Sequence, residues 1–98
     1  LTVMSIDKPV LSPGESATIT TIVKDIDGNP VNEVLIDKTV KYENSKGLWD
    51  YGPIKKENVP GKYTQVITYR GHSNERIDIS FEYAGDLFRK EISIRGRL

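Results

Sequence analysis

Apolar and polar residues alternate most cleanly in the last third of the chain. Ile77, Ile79, Phe81 and Tyr83 interleave there with Arg76, Asp78, Ser80 and Glu82. Side chains of a strand point to opposite faces in turn, so this segment predicts an outer strand of a two-layer sandwich, apolar on one face and polar on the other. Ser16 to Lys24 has the same period, with Ala17, Ile19, Thr21 and Val23 on the core face and Ile22 breaking the polar set. Lys62 to Arg70 allows two registers. The one that turns Tyr63, Gln65, Ile67 and Tyr69 inward is preferred, because it buries more apolar area. Further strands are expected over Leu1 to Ile6 and over Glu33 to Tyr42, the latter with Val34, Ile36 and Val40 inward. The last is expected over Leu87 to Arg95, with Phe88, Ile92 and Ile94 inward and Lys90 as an exception. Leu48 to Pro53 reads as a short strand or an aromatic-rich loop, which makes seven strands in all.

The breaks between these runs carry turn chemistry. Asp7-Lys8-Pro9 ends the first strand, and Ser12-Pro13-Gly14, Val59-Pro60-Gly61 and Ala84-Gly85-Asp86 are turns. Asp25-Ile26-Asp27-Gly28-Asn29-Pro30 is the strongest of them. Gly28 supplies positive φ, the Asx side chains bond nearby amides, and Pro30 removes a ladder donor. No stretch carries the apolar 3.6-residue stripe of a helix. The fold class expected is therefore an all-β, immunoglobulin-like, two-sheet antiparallel sandwich of about seven strands.

Composition supports this. Val, Ile and Thr supply 26 of the 98 residues and Ala only 2, which favours a pleated surface over a helix. The length allows one domain, residues 1–98. There is no cysteine, hence no disulfide and no thiolate chemistry. Fourteen basic residues balance fourteen acidic ones, which argues against nucleic acid as partner. No apolar run approaches the length of about 18 residues that a membrane helix needs, so direct membrane insertion is not expected. The first residue is Leu1, not Met, so the chain reads as a piece excised from a larger multidomain protein.

Val23, Asp25, Gly28, Asn29, Pro30 and Val31 form the pattern Val-x-Asp-x-x-Gly-Asn-Pro-Val, preceded by an alternating Ala/Ile/Thr/Val strand. This resembles the bacterial Ig-like repeats of the invasin and intimin adhesins over roughly the first 36 residues. Gly61-Lys62-Tyr63-Thr64 resembles that family's strand entry, whereas Tyr42 to Glu57 departs from its pattern. The resemblance implies a non-catalytic module on the bacterial cell surface, anchored to the outer membrane through the rest of the chain. It would serve as a rod spacer or as part of a host-receptor-binding region. The expected partners are neighbouring Ig-like domains of the same chain and a host receptor protein or glycan. Alternatives are a carbohydrate-binding accessory module of an extracellular enzyme and a phage virion decoration domain.

Candidate chemistry is sparse. Asp25, Asp27 and Asn29 open like a calcium loop, but the position where an EF-hand needs its bidentate glutamate is Ile36. A hydrogen-bonded turn is the preferred reading, with no cofactor and calcium as the alternative. His72 and Ser73 with Asp78 or Asp86 make a triad on paper without a nucleophile elbow, and His72 reads as a solvated loop residue. Trp49 and Tyr51 are the candidate binding residues, as an aromatic platform for a sugar or a protein. The competing reading puts Trp49 in the core, where a chain with two phenylalanines needs bulk.

Overall fold

The structure, a computed structural model, describes residues 2–31, 40–43, 49–71, 74–81 and 90–98. Within them the strands are β1 (Thr2–Ile6), β2 (Val10–Leu11), β3 (Ser16–Val23), β4 (Val40–Glu43), β5 (Trp49–Tyr51), β6 (Lys55–Lys56), β7 (Lys62–Tyr69), β8 (Glu75–Phe81) and β9 (Lys90–Gly96). One sheet has the order β1-β3-β7-β5, with β6 also on β7, and the other has β2-β9-β8-β4. The architecture is the all-β sandwich that the alternation predicts.

The two strands beyond the expected seven, β2 and β6, have two residues each, too few for a period of two to show. Strand β2 also changes the sheet type. It pairs parallel with β9, Val10 opposite Arg95 and Leu11 opposite Gly96, so the second sheet is mixed and not purely antiparallel. The chain leaves the first sheet after Ile6, where Asp7 Oδ1 accepts the amide of Thr18 at 2.7 Å. It passes Pro9 and enters the second sheet at Val10. The proline that reads as a strand end is thus a switch between sheets.

The core lies between the sheets. Ala17 and Ile19 of β3, Trp49 of β5, Ile67 and Tyr69 of β7, Ile77 and Ile79 of β8, Ile94 of β9 and Leu11 of β2 form one buried cluster. Val23 and Tyr63 form a smaller one beside it. The preferred register of β7 is correct, with Tyr63, Gln65, Ile67 and Tyr69 all buried. The expected inward placements of Val34, Ile36, Val40, Phe81, Tyr83 and Phe88 lie outside the described side chains. Ile92 packs on the cluster half-buried.

Strand β8 is not an outer strand. It lies between β9 and β4, and on its polar face Asp78 is 9% exposed and Ser80 2%. Alternation separates the two faces of a strand, but neither the strand's place in the sheet nor what covers each face.

Thr2 pairs with Val23 beside the turn at Asp25, whereas Gly96 pairs with Leu11 and the Leu98 amide bonds Asn74 Oδ1 at 2.9 Å. Strand β3 runs from the Leu11 end to the Val23 end, so Thr2 and Leu98 lie at opposite poles.

Candidate functional site

The loop at Asp25 is a closed hairpin turn. Asp25 Oδ1 accepts the amides of Asp27 and Asn29, each at 2.9 Å. The backbone adds Gly28 N to Asp25 O at 3.0 Å and Asp25 N to Asn29 O at 2.8 Å. Gly28 has φ of +84°, a conformation that a side chain disfavours. Val31 N then bonds Val23 O at 2.9 Å, and the Tyr63 hydroxyl donates to Val31 O at 2.7 Å. The turn is thus held by the Asp25 side chain, the Gly28 conformation and backbone bonds of Val23, Asp25, Asn29 and Val31. Asp25 uses its carboxylate on amides, and among the described residues no group of three acidic or histidine side chains is placed to hold a metal.

Trp49 is buried and not a platform. It is 5% exposed and pairs with Tyr69 across β5 and β7. Tyr51 is half-buried and packs against the same core cluster. Asp50, pointing the other way, forms an ion pair with Arg70. Of the residues in the paper triad, His72, Ser73 and Asp86 lie outside the described residues. Asp78 accepts the Ser93 hydroxyl at 2.6 Å and faces Arg76 at 3.4 Å.

A concave surface lies at the Leu98 pole. It is about 560 Å³ and lined by Asn74, Glu75, Arg76, Arg95, Gly96, Arg97 and Leu98. Three of the chain's five arginines line it. Arg76 and Arg95 stand directly opposite each other across β8 and β9, a like-charge arrangement that destabilises a sheet. A second cavity, between Met4, Ile19, Thr21, Ile54, Tyr63 and their neighbours, is about 10 Å³, room for about one water molecule. Sequence reading missed the arginine cluster because its members lie 19 and 21 positions apart in the chain. The i, i+2 spacing of Arg95 and Arg97 was its only local signal.

The opposite face of β8 carries an unusual group. Both carboxylate oxygens of Glu75 are shut off from solvent and have no hydrogen-bond partner among the described residues, as is the case for the indole nitrogen of Trp49. Gly96, across from Glu75, leaves no room for a side chain, since a Cβ there would overlap the Tyr69 ring.

Comparison with known proteins decides the family. The model of the family described as the zinc-regulated secreted antivirulence protein C-terminal domain matches residues 1–97. The chain belongs to that family. It is also similar to a solved structure of a ZirS C-terminal domain, at 82% identity and a TM-score of 0.78. The match covers 99% of this chain and 66% of that one, so the chain spans about two-thirds of its solved relative. No curated protein matches significantly. The family is one of secreted proteins, which agrees with the expected extracellular setting.

These findings overturn the assignment to invasin and intimin adhesin repeats. The physical reason lies in the turn. The pattern that carried the resemblance supplies the local chemistry of this turn: an Asx acceptor, a positive-φ glycine and a proline bridged to Lys24. It reports local backbone geometry, not biological role.

Proposed function

We propose that this domain is a non-catalytic recognition module of a secreted protein, and that it acts by holding a partner protein on its surface. The observation that supports this reading is the contrast between two concavities among the described residues. The apolar one is about 10 Å³, whereas the open one at the Leu98 pole is about 560 Å³ and rich in arginine. Charged, solvent-open surfaces suit the docking of a macromolecule, and small-substrate chemistry favours apolar clefts with a few convergent polar groups. Thr2 and Leu98 at opposite poles suit an in-line element between other domains of a longer chain. A partner that is itself held at the cell surface would retain the protein at the outer membrane.

The test measures binding of the purified domain to proteins from the secreted and outer-membrane fractions of the bacterium that produces it. Each hit is then purified and titrated. Saturable one-to-one binding to a purified protein supports the reading. Turnover of peptide, ester or glycoside substrates by the domain, or saturable binding to glycans alone, overturns it.

A further inference from the structure

We propose that Arg76, Arg95 and Arg97 form a recognition site for an acidic peptide segment in extended conformation. The inference rests on the reading of the domain as a protein-binding module and names the chemistry of its contact.

Arg95 is on β9 and Arg97 lies one residue past its end, where the bond from Arg97 N to Leu11 O continues the pairing with β2, so the two share a face about 6.6 Å apart along the chain. Arg76 is the direct cross-strand neighbour of Arg95 on that same face, with Cα atoms about 5 Å apart. The three guanidinium groups therefore belong to a patch three residues long and two strands wide. The backbone beneath is fixed from the β2 side, where Arg95 N bonds Pro9 O at 2.9 Å and Arg97 N bonds Leu11 O at 2.8 Å.

Among the described residues, the positive charge of this patch is compensated at Arg76 alone. Arg76 has a carboxylate beside it, Asp78, whose Oδ1 lies 3.4 Å from its Nε and whose Oδ2 lies 3.4 Å from its Nη2. Asp78 is buried and accepts the Ser93 hydroxyl, so it acts as a positioning residue that orients Arg76. Arg95 and Arg97 are exposed, and no ion pair holds either of them among the described residues. Glu75 also lines the concavity but lies on the opposite face of β8, with its carboxylate oxygens shielded. Two arginines set face to face cost stability, and a carboxylate arriving between them removes that cost.

Charge and spacing together select the occupant. Arginine binds carboxylates through two parallel hydrogen bonds. An extended peptide presents alternate side chains on one face at the same spacing as Arg95 and Arg97. Acidic residues at i and i+2 would thus meet both guanidinium groups at once, with Arg76 reaching the first. Val10, exposed at the register position beside Arg95, offers an apolar margin for the intervening side chains.

The experiment titrates the domain with a labelled peptide of alternating glutamate and threonine, its glutamine counterpart, inorganic phosphate and a sulfated oligosaccharide, read by fluorescence or calorimetry. The glutamate peptide should bind best, and Arg95→Ala or Arg97→Ala should each weaken it roughly tenfold. The Arg95→Glu, Arg97→Glu pair should abolish binding while keeping the wild-type circular dichroism spectrum. Equal binding of the glutamine peptide, tighter binding of phosphate or the sulfated oligosaccharide, or unchanged binding by the folded charge-reversed pair would overturn the proposal. If that pair still holds a purified natural partner, this inference fails and the module reading stands; if the unaltered domain binds no protein, the module reading itself fails.

Discussion

The indole of Trp49 packs on the ring of Tyr69 with centroids 4.9 Å apart and planes inclined at 43°. The two residues are cross-strand partners of β5 and β7, and both rings are buried between the sheets. Tilted aromatic pairs at this separation add about 0.5–1.5 kcal/mol beyond the area they bury. Strand β5 has three residues, so this contact anchors a strand that hydrogen bonds alone would hold poorly.

Truncating that anchor should therefore be severe. Trp49→Ala is expected to cost about 3–5 kcal/mol in denaturant melts. The intact domain should show blue-shifted tryptophan emission that resists quenching by iodide or acrylamide. A loss below about 1 kcal/mol, or a readily quenched red-shifted emission, would contradict the core placement.

The Asp25 turn is expected to depend on its carboxylate as an acceptor and not as a metal ligand. Asp25→Ala removes the acceptor of two backbone amides and should cost about 1–2 kcal/mol. Asp25→Asn, which keeps one acceptor oxygen, should recover most of that. Neither value should change when calcium is replaced by a chelator. A wild-type melting temperature that rises by many degrees with calcium would refute this.

Glu75 gives a prediction of the opposite sign. A carboxylate closed off from water without a partner opposes folding. Glu75→Met keeps the volume and removes the polar group, so it should raise stability by about 1–3 kcal/mol. A destabilised Glu75→Met variant would mean that the carboxylate has a partner in solution.

Acid stability is expected to depend in part on Glu15. Its carboxyl is held below the ordinary glutamate range, chiefly by the Ser12 amide, which it accepts at 2.7 Å, and then by Lys8. A carboxyl with a depressed folded pKa binds more protons when unfolded, so stability falls as pH drops through the folded value. Above the ordinary glutamate range its contribution is complete. Glu15→Gln should therefore flatten the loss of melting temperature at acid pH and leave the neutral slope unchanged. Added salt should weaken the Lys8 part. An unchanged acid slope in the variant would remove Glu15 from this role.

Some of this was open to a reader of the sequence. Which residues of β3 face the core followed from alternation, with Ala17 and Ile19 on one face, whereas for β7 alternation left two registers and the larger apolar area of Ile67 and Tyr69 chose between them. The Asp25 to Pro30 turn followed from residue chemistry, since its hydrogen bonds join neighbours in the chain. Trp49 was harder. A lone tryptophan in the sequence leaves both a platform and a core plug open until Tyr69 is known to lie opposite.

The sequence by itself determined the elements whose causes are local: strand faces, turn closure and the all-β class. Only the tertiary structure decided what depends on pairing between distant segments. Val10 and Leu11 lie against Arg95 and Gly96 because Pro9 carries the chain across to the second sheet. Asp78 and Ser80 are buried because β8 is central in its sheet. Arg76 meets Arg95 because β8 and β9 align in one register and no other. Local patterns fix which way a side chain points relative to its own strand, and long-range pairing fixes what it meets there.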